Sequence, residues 1–261
     1  MRITRTKILL ALGALVMCVA VAVAGVKVCR DRAASKAIET RRFLEAKVRY
    51  ATGAERKETQ VALLKHIMAT TQPPEASMAL FELIRTYPEV GKQDEHYSAN
   101  ALLTRFPGTA GANLWKAQAL SAKGQYQEAL PLLTQDKLYQ SAPYTARYEQ
   151  TRLLCSVARE LAFAATDPQQ SRDLFERALT ACNTLAMRTG VANDIGMAHL
   201  FKARTLFLRA KKFNVPADAD EACRLANQIK DIPDMRSPYL LNEGPKRLVE
   251  EVRKWRASQA R

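Results

Sequence analysis

The side chains best equipped for chemistry in this chain are three histidines, five cysteines and one tight acidic cluster. Their spacing argues against catalysis. His66, His96 and His199 lie far apart, with none of the spacings that bring two imidazoles onto one metal ion. Asp94, Glu95 and His96 stand together where a helix begins, and acids there complement the positive end of the helix dipole. No GxxxxGK followed by Ser or Thr occurs, nor GxGxxG after a strand, GxSxG or HExxH. The expectation is a protein that is not an enzyme and needs neither cofactor nor metal.

The cysteines, at 18, 29, 155, 182 and 223, include no CxxC pair. Cys18 falls in an apolar N-terminal run. Cys155, Cys182 and Cys223 fall in helical, largely apolar surroundings, where a thiol packs as a small hydrophobe. Core packing is expected of those three. A disulfide between two of them stays open, since an oxidising compartment would permit it.

The elements that must position any site are helical. Apolar residues make up 48% of the 261, charged residues 25%, and only ten Gly and eleven Pro interrupt the chain. That is the composition of a folded protein with ample core. The net charge of +14 suggests a polyanion partner until its distribution is considered. Residues 1–57 hold thirteen Lys or Arg against four acids, and residues 246–261 hold six against two. The body between them carries 21 basic and 20 acidic residues and is close to neutral. A nucleic-acid binder concentrates charge on a folded face, so no nucleic-acid partner is expected.

Ile8 to Val26 is an uncharged run, ILLALGALVMCVAVAVAGV, flanked by Arg2, Arg5 and Lys7 before it and Lys27, Arg30 and Arg32 after it. As a helix it would span about 28 Å, near the thickness of a bilayer core. Ala22-Val23-Ala24 before Gly25 reads as a cleavage site, whereas the length of the run favours an uncleaved anchor. Met17 and Val28 are too large to precede a lipidated cysteine. The basic C-terminal flank would keep the domain inside by the positive-inside bias; the export-like start favours the other side, which is the expectation adopted. Residues 1–28 are thus expected as a transmembrane anchor or signal peptide, and 29–53 as a basic helical stalk that could rest on anionic headgroups. Residues 54–245 are expected as a helical repeat domain and 246–261 as a basic capping helix.

From Ala54 onward the apolar residues recur with helical period. Val61, Leu63, Leu64 and Met68 line one face of a helix that should end before Pro73-Pro74. Further helices are expected over Glu75–Tyr87 and Asp94–Phe106, each closed by a proline. The segment 106–133, FPGTAGANLWKAQALSAKGQYQEALPLL, reads as two antiparallel helices. Small Ala117 and Ala129 let the backbones approach, Leu120 and Leu133 fill the seam, and Gly124 supplies a left-handed turn over which Tyr126 packs. Pro131 should bend the second helix modestly, and Trp115 is expected as a buried aromatic. Ala158, Leu161 and Ala165 repeat the spacing of Ala117, Leu120 and Gly124, with Asp167-Pro168 opening the return helix and Phe175, Ala178 and Cys182 on its inner face. Ala203, Leu206 and Ala210 repeat it again, with Asp220-Glu221-Ala222 opening the partner helix after a loop at Pro216. A helix from Pro245 to Ala257 should close the array.

This pattern resembles the tetratricopeptide repeat, a helical hairpin of 34 residues that stacks in series. Ala117, Leu120, Gly124, Tyr126 and Ala129 match its small, Leu, Gly, Tyr and small positions; the copies around Ala158 and Ala203 are degenerate and lie at longer offsets. The resemblance covers about 150 residues. It implies an all-α solenoid of hairpins, here preceded by one transmembrane helix. The layout is similar to bacterial envelope and translocon-associated proteins of this family, which implies a single-pass inner-membrane protein with its soluble domain on the periplasmic side. In the family the first helix of each pair lines a groove, and the residue after the small position points into it; here those residues are Gln118, Arg159 and Arg204. The implied role for Arg159 and Arg204 is a ladder that pairs with acidic side chains or a chain terminus.

Two functions compete. One is a membrane-held scaffold whose groove binds protein partners, for example in envelope protein assembly or translocation, with residues 8–26 and their basic flanks meeting the membrane. The other is a structural subunit of a larger membrane complex, for which the stripe Ala14, Cys18 and Ala22 would pack against other spans.

Overall fold

Prolines and short polar residues punctuate this chain where helices begin. Pro73, Pro88, Pro168 and Pro216 each stand in a first turn, where a missing N–H costs nothing and the fixed φ already suits the helix. Ser98 caps another start by accepting the Ala101 N–H at 3.1 Å. The computed structural model describes residues 3–188 and 191–259, with side chains for 26–187 and 191–259. Every regular element among the described residues is helical, so the chain is all-α.

The chain forms two compact units, residues 1–71 and 72–261. The first holds α1 (Ile3–Tyr50) and α2 (Gly53–Thr70), joined by a turn in which Gly53 takes φ +54°. They pack on each other, and the His66 imidazole donates through Nε2 to the Ala37 carbonyl at 2.9 Å. The division therefore falls after Thr71 rather than at Gly53, because α2 folds back on the basic helix before it. Among the described residues no helix is long and apolar enough to cross a membrane. The expected span Ile8–Val26, with the stripe Ala14, Cys18 and Ala22, lies outside the residues whose side chains are described, Val26 excepted.

The second unit is a row of helical pairs. It opens with α3 (Pro73–Thr86), α4 (Pro88–Gln93), a 3-10 turn at Glu95–Tyr97 and α5 (Ala99–Arg105). Then come α6 (Ala110–Ala122) with α7 (Tyr126–Leu133), a short α8 (Asp136–Gln140), α9 (Tyr144–Ala164) with α10 (Pro168–Arg188), and α11 (Ala192–Phe213) with α12 (Pro216–Gln228). A π-helical turn, Tyr239–Glu243, leads into the closing α13 (Gly244–Gln259). α6, α9 and α11 each pack on their own return helix, and α3, α6, α9, α11 and α13 follow one another in contact. The return helices α7 and α10 also touch the first helix of the next pair, and α12 touches the closing α13.

Small residues set these seams: Ala117 and Ala129, Ala158 and Ala178, and Ala203 and Ala222 are all fully buried. α6 crosses α3 so closely that a Cβ on Gly111 would lie 2.5 Å from the Ser77 carbonyl oxygen. Arg85 of α3 reaches Glu149 of α9, which Arg152 also holds at 2.8 Å. A charge this buried would be costly without such partners.

Several expectations shift in detail. The helix expected over Asp94–Phe106 is broken, because Asp94 accepts the His96 N–H to cap a 3-10 turn and Ser98 then starts α5 afresh. Pro216 begins α12 instead of sitting in a loop before it. Leu120 is only partly buried; the sealed leucines of the α6/α7 pair are Leu114 and Leu133. Ala165 is extended (φ −60°, ψ 134°) and makes no left-handed turn. Gly124 does, at φ +74°, with Gln125 N–H bonded to Leu120 O at 2.9 Å and Gly124 N–H to Ser121 O at 3.0 Å, the double closure of a Schellman turn.

Candidate functional site

On a helix, each residue is rotated about 100° from its predecessor. The residue after a seam alanine therefore turns away from the return helix, towards the side where the next first helix packs. Arg159 follows Ala158 on α9, and Arg204 follows Ala203 on α11. Both line one cleft of about 430 Å³ between α9, α11 and α13, together with Phe207, Lys211, Arg247 and Leu248. Gln118, on α6, is not part of it; it is half-buried, with an Oε1 that has no hydrogen-bond partner.

Four cationic side chains line the cleft against two acids, Glu160 and Glu251. Arg159 is held by its neighbour: Nε and Nη2 donate to Glu160 Oε1 at 3.0 and 2.6 Å. Its side chain is 11% exposed, and its Nη1 is buried without a partner. An unsatisfied buried donor costs roughly 1–3 kcal/mol, a cost that an acceptor entering the cleft would relieve. Arg204 donates through Nη2 to the Tyr239 hydroxyl at 2.8 Å, so the π-helical turn before α13 orients it. Lys211 Nζ lies 5.6 Å from the centre of the Phe207 ring and 5.8 Å from that of Phe163, a cation–π placement. Arg247 pairs with Glu251 at 3.3 Å one turn along α13, an exposed pair worth little. Among the described residues no carboxylate pairs with Arg204 or Lys211. The apolar part of the lining is Phe207 and Leu248, both buried, with Leu208 partly open.

Two other clefts of this unit hold fewer cations. In one of about 560 Å³, Arg209 is spent on Asp218, at 2.6 and 2.8 Å, and on Glu176. The other, about 370 Å³, is mainly apolar and lined by Cys182, Met187, Ala198 and His199. Burial first, then Lys202 and Arg224, push the His199 imidazole below its ordinary value. Cys182 is joined there to Cys155 in a disulfide, with Cα atoms 5.7 Å apart, tying α9 to α10. Both are core residues, as expected, and the disulfide that the sequence leaves open joins this pair. Cys223 remains a thiol, half-buried. Among the described residues no group of three His, Cys, Asp or Glu could hold a metal ion.

Sequence reasoning missed Lys211, Phe207 and Arg247. The first two were within reach, since 204, 207 and 211 share one helical face. Arg247 was not, because it arrives from the closing helix and only tertiary packing brings it near. Compared with known proteins, the chain matches no family model, no curated protein and no solved structure.

Proposed function

We propose that this chain is a membrane-held scaffold of tetratricopeptide type, in which the face formed by the first helices of successive pairs binds a protein partner. The observation that carries the reading is the cleft between α9, α11 and α13, where Arg204 and Lys211 meet no carboxylate among the described residues and Arg159 keeps a buried donor unspent. Concave sites with an apolar floor and a few polar groups are where ligands bind. Serial packing of hairpins supports the repeat architecture, which is the finer form of the all-α fold. The apolar run 8–26 supports a single-pass anchor in the inner membrane, and the Cys155–Cys182 disulfide favours an oxidising, exported compartment for the second unit.

The test is position-specific crosslinking in intact membranes. A photoreactive residue in place of Leu208, in the cleft, should trap a discrete partner, and one in place of Glu128, exposed on α7, should not. Equal trapping at both positions, or none at either, overturns the reading. Replacing residues 8–26 with an unrelated span separates the scaffold from the structural subunit: partner capture survives in the first and fails in the second.

A further inference from the structure

We infer that the face between α12, the π-helical turn and α13 rests on an anionic bilayer surface, with Leu241 entering the interface and Lys230, Lys246 and Arg253 meeting lipid phosphates. This goes beyond the scaffold reading, because the face is separate from the cleft lined by the first helices and gives the second unit a membrane contact of its own. These elements leave a notch of about 260 Å³, whose apolar side includes Leu240, Leu241 and Val249. The two leucines are neighbours on the π-helical turn and go opposite ways. Leu240 is 1% exposed and belongs to the core, while Leu241 is 36% exposed. A single exposed leucine is ordinary. This one shares its notch with three cations.

Charge decides the occupant. Lys230 comes from the 3-10 turn Ile229–Asp231, Lys246 and Arg253 from α13, and one acid, Glu250, lines the notch with them. Among the described residues none of the three cations makes an ion pair. Two other arginines of α13 are paired within the chain, Arg247 with Glu251 and Arg256 with Asp220. Lys246 and Arg253 are seven residues apart, hence about 10 Å along the axis, with Val249 between them on the same side. The charge is thus spread along the face instead of focused on one ion. A free phosphate would use the cations and leave Leu241 in water, and an apolar protein segment would leave the cations without partners. A phospholipid layer offers anionic groups beside hydrocarbon, the boundary in which surfaces of mixed basic and apolar make lie. Its surface potential attracts each basic residue that comes near. Three cations less one acid leave +2, a weak attraction by itself. An anchor in the same membrane keeps the surface at high effective concentration, where a weak contact suffices. In that respect alone the inference rests on the membrane-held reading.

The experiment uses the full chain in lipid nanodiscs that contain doxyl-labelled lipid, with dansylalanine in place of Leu241. In phosphatidylglycerol discs the doxyl groups should quench the dansyl emission. Quenching should be about tenfold weaker in phosphatidylcholine discs, or with the probe at Glu128, exposed on α7. The variant K230E/K246E/R253E alters three exposed side chains, so its circular dichroism should stay that of the wild type while quenching falls by about tenfold. Equal quenching in the two lipids, equal quenching at the two positions, or a charge-reversed chain quenched like the wild type overturns the inference. So does loss of quenching on adding inorganic phosphate at matched ionic strength, which would make a free anion the ligand. A photoreactive residue at 241 that traps a protein and no lipid in intact membranes overturns it as well. A chain that does not enter the discs sinks the anchor and not this face, which flotation on phosphatidylglycerol vesicles then decides: the wild type should float and the charge-reversed chain should stay behind.

Discussion

The α6/α7 and α11/α12 hairpins solve one packing problem at two lengths. In each, a fully buried pair of alanines brings the helices together, Ala117 with Ala129 and Ala203 with Ala222. In each, a left-handed residue ends the first helix, Gly124 at φ +74° and Asn214 at φ +51°. The following N–H then reaches back to the same relative carbonyl: Gln125 to Leu120 at 2.9 Å, Val215 to Ala210 at 3.1 Å. What differs is reach. α6 has 13 residues and α11 has 22. Seven residues beyond Gln118 the chain has already left α6, whereas seven beyond Arg204 is Lys211, still on α11. The best-matched repeat letters thus mark the tightest hairpin, while the cleft forms where a degenerate, longer copy has helix to spare.

That contrast can be tested first at the core that only the longer pairs possess. Phe175 of α10 is fully buried and meets Phe213 edge to face, with ring centroids 6.1 Å apart. Phe175→Ala should cost about 3–5 kcal/mol, the range for deleting a buried aromatic. Leu133→Ala in the short hairpin should cost no more than that, and urea denaturation of both variants decides the order. A larger loss at Leu133 would make the short hairpin the keystone of the row and reverse the comparison.

The covalent tie comes next. Cys155 and Cys182 are separated by 27 residues, and closing such a loop stabilises by about 2–4 kcal/mol through the unfolded chain. The double variant C155A/C182A should therefore lower the urea midpoint and lose the wild type's sensitivity to dithiothreitol. A variant as stable as the oxidised wild type would show that packing around Leu185 and Phe201 suffices without the bond.

Smaller still are the two turns. A Cβ on Gly124 would touch nothing within 4 Å, so Gly124→Ala isolates the backbone contribution and should cost about 1 kcal/mol. Asn214→Gly should change stability by less than about 0.5 kcal/mol, because asparagine already tolerates the left-handed region. Comparable losses at the two sites would mean that Asn214 contributes through its side chain and that the turns are not equivalent.

Residues whose role depends on near neighbours in the chain are legible from the amino-acid order alone. Gly124 shows its turn because only a few residues accept positive φ, and Ala117 and Ala129 show their seam because helical spacing puts small side chains where backbones must meet. Legibility ends where distant chain decides. Leu120 and Leu114 lie on the same helix, and only the placement of α3 and α9 makes Leu114 the sealed one. Pro216 reads equally as loop or first turn until the packing of α12 is known. The pairing of Cys155 with Cys182 follows from two helices lying side by side, and Arg247 enters the cleft only because α13 folds back on α11. Of the three groove residues, Arg159 and Arg204 meet because α9 and α11 are neighbours, and Gln118 stays apart on α6.

The smallest effect probes equivalent positions four residues before the seam alanines. On α6 this is Asn113, a buried amide whose Nδ2 donates to Gln135 Oε1 at 3.1 Å. On α11 it is His199, whose Nδ1 is buried without a partner and whose ring burial, Lys202 and Arg224 hold towards the neutral form. A histidine with a depressed folded pKa is fully stabilising above its ordinary value near 6.5. As pH falls through that value towards the folded one, the unfolded chain binds the proton first and the contribution is lost. The long hairpin should therefore weaken between pH 7.5 and 5 by an amount absent from His199→Gln. Half exposure and solvent screening hold that amount below about 1 kcal/mol. The check is the difference in urea stability between wild type and H199Q at the two pH values. Asn113→Asp, by contrast, would introduce a titration into the short hairpin with the opposite sign, since an acid buried beside an amide acceptor resists ionisation and loses stability as pH rises. If H199Q keeps the wild-type slope, the acid sensitivity belongs to other groups and the two helices are alike at this position after all.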